Sequence, residues 1–186
     1  KGGAAAALRS EHHHAMARTG VADKVVVIDP GHGGDDYGDV AHRLAESIVA
    51  DDLCRRIEGR LAAIGTQVLV TRPRTHDMTE PIDETTRAAF ANSTGADLVD
   101  ESMMGRRFAE LVQHEIVRRT DLVDCRTHGK TWDLLRLTRM PAVRIEFGYL
   151  SNPSDAERLA DADFRDVVSE AVAIAVVRFF APGGEN

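Results

Sequence analysis

Residues 25–34, VVVIDPGHGG, constrain the fold more than any other stretch of the chain. Val25, Val26, Val27 and Ile28 are all β-branched, which suits a strand buried on both faces, and Asp29-Pro30-Gly31 ends that strand abruptly. A buried parallel strand delivers the residues after it to the carboxyl edge of the sheet, where open α/β folds place their ligands. His32 is therefore a candidate for chemistry by position alone. The alternative is a turn histidine that tolerates the glycine-rich backbone of Gly33 and Gly34.

The pattern continues as alternating strands and helices. Leu44, Ile48, Leu53, Ile57, Leu61 and Ile64 recur at helical spacing, predicting a helix over 41–64 that stops at Gly65. TQVLVTR predicts a second strand, IDETTRAAFANSTG a helix ending at Gly95, and ADLV a third strand. A helix is expected from Met103 to Arg119. DLLRL and AVRIEFGYL are strand-like, Asn152-Pro153-Ser154-Asp155 starts another helix, and residues 164–180 form a long apolar one. This order predicts a single α/β domain with a mixed, mainly parallel central sheet flanked by helices. The domain is expected over 24–181, with a linker or tag-like tail at 1–23 and a C-terminal tail at 182–186.

Charge and cysteine count exclude several function classes. A net charge of −7 offers no basic footprint for nucleic acid. No apolar run approaches the roughly 18 residues of a transmembrane helix, so no membrane span is expected, and the start of the chain lacks a signal-peptide pattern. Cys54 and Cys125 are too few for a disulfide framework and match no zinc-binding cysteine spacing.

Glu146 is the most informative single residue. It lies within AVRIEFGYL, and a carboxylate in such a run is costly to bury unless it is paired, hydrogen-bonded or near a metal. Its alternative is an outward-facing position on a half-exposed strand, shared with Arg144 two residues earlier. Glu46, at the start of a predicted helix, says little by itself.

Taken together, VVVIDPGHGG, a glutamate 14 positions after its histidine, LVTR, RAAFANSTGADLV and PAVRIEFGYLSNPSD resemble the zinc-dependent N-acetylmuramoyl-L-alanine amidases of the amidase-3 type, from about Lys24 to Phe180. The resemblance implies Zn²⁺ bound by His32 and Glu46, with Glu146 as the catalytic carboxylate. It also implies peptidoglycan or muropeptides as substrate, cleaved between N-acetylmuramic acid and L-alanine. Catalytic zinc keeps three protein ligands and a water whose pKa falls to about 7, so metal and carboxylate together supply nucleophile and proton transfer. On this reading Gly33 and Gly34 let the backbone approach metal and substrate closely.

One ligand is missing from the pattern. The family carries a histidine just after the third strand, but here GADLV runs straight into DESMMGRRFAEL, and His114, His42 and His76 offer no directed replacement. Either a segment between Val99 and Asp100 is absent from the sequence, or the chain lacks it and the site is incomplete. A second resemblance, of VDCRTHGKTWDLLRLTRMPAVRIEFGYLSNP to actinobacterial CwlM-type proteins, implies a regulator of peptidoglycan precursor synthesis that binds a peptidoglycan-synthesis protein. The enzyme reading implies the cell envelope; the regulator reading implies the cytoplasm. Trp132, within that stretch, is expected to pack or to line the groove.

Overall fold

A computed structural model describes residues 20–22, 24–72, 81–95 and 101–181, the side chains of 101–103 excepted. The expected strand ADLV, the two tails apart from residues 20–22, and His76 lie outside the described residues. Val25–Ile28 forms β1. A short antiparallel pair comes next, β2 (Val40–Ala41) with β3 (Leu44–Ala45), before α1 (Glu46–Ala63) carries the chain to β4 (Gln67–Val70). β4 lies parallel to β1, with Val25 opposite Gln67 and Ile28 opposite Val70. The helices α2 (Glu84–Ser93), α3 (Glu101–Val117), α4 (Asp133–Leu137), α5 (Pro153–Ala160) and α6 (Ala162–Phe180) complete the described chain.

Local chemistry sets most of these boundaries. Asp83 accepts the amide of Thr86 at 2.7 Å and caps α2, while Asn152 accepts from Ser154 at 2.9 Å and caps α5, with Pro153 inside the first turn. Gly65, at φ 87°, ends the turn after α1 where an L side chain would be strained.

Three expectations need correction. The helix expected over 41–64 begins only at Glu46, because His42 and Arg43 occupy the left-handed region at φ 51° and 66° and turn β2 into β3. DLLRL is the short helix α4, closed locally by the Arg136 amide donating to the Trp132 carbonyl at 2.9 Å. A five-residue apolar run is too short for periodicity to separate helix from strand. AVRIEFGYL joins no strand, since the segment finds no ladder partner among the described residues.

The core lies around α6, whose small residues Ala171 and Ala175, both fully buried, let neighbouring helices approach closely. α1 contributes Leu53, Ile57 and Leu61, and α3 contributes Val112 and Ile116. Between α3 and α6 the Glu115 carboxylate is wholly buried, ion-paired with Arg119 on the turn after its own helix and with Arg178 of α6. Among the described residues no helix is long and apolar enough to cross a membrane.

Replacing Arg119 and Arg178 together with Met should leave the Glu115 carboxylate buried without its close partners, a change of about 3–5 kcal/mol. Urea unfolding of the double variant should show a lower midpoint at unchanged slope, and Glu115→Gln in that background should recover part of the loss.

Candidate functional site

The site grows from the end of β1. Beyond Ile28 the chain turns at Asp29, and Arg87 of α2, only 7% exposed, closes that turn. Its guanidinium donates to Asp29 Oδ1 at 3.1 Å, to the Pro30 carbonyl at 2.9 Å and to the His32 carbonyl at 2.9 Å. The Thr71 hydroxyl donates to the same Asp29 carboxylate. Arg72 reaches the His32 carbonyl from another side at 3.3 Å and is itself paired with Asp51 at 3.2 Å. Gly33, at φ 114°, makes room for this: a Cβ there would collide with the Arg72 guanidinium. The missing side chain at Gly33 thus seats Arg72.

So held, His32 sits in the left-handed region at φ 61° with both ring nitrogens engaged. Nδ1 lies 2.8 Å from Asp36 Oδ2, and Nε2 lies 3.3 Å from Glu46 Oε2. The Gly38 amide, donating to Asp36 Oδ1 at 2.9 Å, and the His32 ring together hold the Asp36 carboxyl below its ordinary value of 3.8. Asp36 is therefore ionised at neutral pH and accepts a hydrogen bond from Nδ1–H, and this bond is lost only as pH falls through that lowered value. A carboxylate behind a histidine fixes its tautomer in this way and is a common device behind metal-ligating imidazoles.

With Nδ1–H committed to Asp36, the lone pair of a neutral His32 at Nε2 faces the Glu46 carboxylate. Two acceptors 3.3 Å apart repel unless a proton or a cation lies between them. Bonds of about 2.0–2.1 Å around a tetrahedral zinc place neighbouring ligand atoms roughly 3.3 Å apart, so this pair fits two adjacent positions of such an ion. Gly38, at φ 63°, keeps the place open: a Cβ would come within 2.7 Å of Glu46 Oε2 and 2.8 Å of His32 Cδ2. Glu46 owes its own position to the start of α1, where the helix dipole favours a carboxylate, and the Asp39 amide donates to it at 3.0 Å.

Glu146 lines the same cavity as His32, Asp36 and Glu46, a space of about 620 Å³ that continues inward along β1. Its carboxylate accepts from Arg144 Nε at 2.6 Å, and the Arg144 guanidinium lies 4.6 Å over the ring of Trp132. Cys54 of α1 also lines this cavity, where burial, with Asp29 nearby, pushes its thiol up to about 12. The structure thus joins His32 directly to Glu46 and sets Glu146 on the wall of the same cavity.

Among the described residues no group of three or more His, Cys, Asp or Glu side chains is arranged to hold a metal ion. His42 and His114 are exposed, and the ring of exposed His128 is engaged at 2.8 Å with the Cys125 carbonyl. Sequence reasoning missed Asp36, Gly38 and Arg87. An aspartate four residues after the turn histidine was the available signal for the first; the other two depend on how the turn folds back.

The sequence profile of the N-acetylmuramoyl-L-alanine amidase family matches residues 26–99 and 100–178. The two stretches meet at Val99–Asp100, where the family resemblance implied a further histidine. The N-acetylmuramoyl-L-alanine amidase CwlM of Mycobacterium tuberculosis is 37% identical over 212 positions, which cover 98% of this chain and 51% of the relative. That alignment is longer than the 186-residue chain, so the relative holds residues without a counterpart here. The chain spans about half the length of this relative. Among solved structures, an N-acetylmuramoyl-L-alanine amidase from Clostridium difficile 630 superposes with a TM-score of 0.74 at 25% identity, over 84% of this chain and 95% of that one. The catalytic domain of CwlV, an amidase from Bacillus (Paenibacillus) polymyxa, does so with a TM-score of 0.73 at 26% identity, over 82% of this chain and 96% of its own.

Gly38→Ala should lose about 1–2 kcal/mol from the left-handed backbone alone, read by urea unfolding, while Gly59→Ala on α1, with open space around it, should be neutral or stabilising.

Proposed function

Because the chain belongs to the N-acetylmuramoyl-L-alanine amidase family, we propose that it is a zinc-dependent peptidoglycan amidase, hydrolysing the amide between N-acetylmuramic acid and L-alanine of the stem peptide. One observation carries this reading: His32 Nε2 and Glu46 Oε2 face each other at the spacing of two zinc ligands, with Asp36 fixing the ring from behind. His32 and Glu46 would hold the ion. When bound, zinc polarises the scissile carbonyl and makes its water acidic enough to ionise near neutrality.

The chain's own residues do the rest. Glu146, on the wall of the cavity that His32 and Glu46 line, takes the proton of the attacking water and delivers it to the departing L-alanine nitrogen. That transfer lets the amide break to a carboxylic acid on the lactyl group and a free amine on the peptide. Arg87 and Arg72 keep the His32 carbonyl in place, so the imidazole presents the same nitrogen through each cycle. The cell envelope is the compartment in which this substrate is met.

A second reading, an amidase-fold regulator that binds a peptidoglycan-synthesis protein in the cytoplasm, is favoured by one observation. The described residues offer two metal donors where a catalytic zinc needs three.

Glu146→Gln should lower release of stem peptide from muropeptides by roughly 10²–10⁴-fold while bound zinc stays the same. His32→Ala and Glu46→Ala should each lower bound zinc together with the thermal midpoint, since a metal that binds only the native state stabilises it. Absence of peptide release by the zinc-loaded wild type would favour the regulator.

A further inference from the structure

Two arginines line the site cavity, and they are not equivalent. Arg87 is buried and spends its donors on Asp29, Pro30 and His32. Arg144 has a side chain 43% exposed, and among the described residues its only hydrogen bond is the one its Nε gives to Glu146. Its two terminal nitrogens thus present unpaired N–H donors beside the carboxylate assigned to proton transfer. The Trp132 ring beneath the guanidinium orients this fork without consuming a donor.

We propose that Arg144 is a specificity-determining residue that recognises a carboxylate of the bound peptide, the ligand class being an acidic muramoyl peptide. This rests on the amidase reading for the nature of the substrate. A guanidinium fork matches a carboxylate with two parallel N–H donors, whereas its present contact with Glu146 uses Nε alone. An ion pair between two groups this exposed contributes little net stability, so exchanging Glu146 for a ligand carboxylate costs little. The exchange has a second effect. It frees Glu146 from Arg144 when an acidic ligand is in place, coupling recognition of the peptide to availability of the proton carrier. In a chain of net charge −7, an anionic ligand also needs a local cation at the cavity to offset the repulsion of the whole.

The test uses N-acetylmuramoyl-L-alanyl-D-glutamic acid and its diamide, titrated calorimetrically into the metal-free full chain so that no turnover intervenes. The wild type should bind the diacid at least tenfold more tightly than the diamide. Arg144→Leu should reduce that ratio to within twofold, with an unchanged melting temperature, and Arg144→Lys, which keeps the charge and loses the fork, should fall between. With zinc-loaded protein, the kcat/KM ratio for diacid over diamide should collapse in Arg144→Leu, while kcat on the diamide rises because Glu146 is no longer tied. An undiminished diacid preference in Arg144→Leu overturns the proposal and leaves the amidase reading standing. Discrimination without turnover upholds the proposal while the hydrolase reading fails, and an absence of diacid preference in the wild type, in binding and in turnover, overturns the proposal alone.

Discussion

Arg87 gathers the end of β1, the turn and the site into one unit. Its guanidinium meets a carboxylate at Asp29 and two backbone carbonyls, at Pro30 and His32, that the tight turn leaves without ladder partners. A buried carbonyl without a donor is costly, and a buried arginine without acceptors more so; each removes the other's penalty. The unfavourable backbone of His32, left-handed at φ 61°, persists because two arginines hold its carbonyl. Everything downstream inherits that constraint, from the Asp36 bond at Nδ1 to the approach of Glu46 at Nε2.

The parts of the fold that could be read from residues alone are those that local chemistry decides. The run from Val25 to Ile28, the helix start at Asn152, and the stops at Gly65 and Gly95 each carry their own physical signal. His32 and Glu46 were legible as a pair through family resemblance, since one ends a strand and the other opens a helix. What could not be read depends on partners distant in the chain. The left-handed turn at His42 and Arg43 uses no glycine or asparagine, so no strong turn signal announced that the helix would start late. AVRIEFGYL has the composition of a strand, but a strand exists only against a neighbour, and the expected neighbour falls at the break in the family profile.

That break also connects the fold to the chemistry. β1 pairs with β4 on one edge, and the cavity that β1 lines is bounded as well by Ala142 to Gly148. The stretch expected to pair with AVRIEFGYL and the stretch where the family resemblance implies a further ligand therefore lie side by side in the sequence, at Val99–Asp100.

The unequal surroundings of the two cysteines give this molecule a built-in reporter. The thiol of Cys54, pushed up to about 12 by burial on the cavity wall, stays protonated and a poor nucleophile while the domain is closed, whereas Cys125 is exposed. A thiol-directed dye would thus mark Cys125 well before Cys54, and the lag between the two modifications reports how far the cavity wall shields its thiol, with no engineered residue.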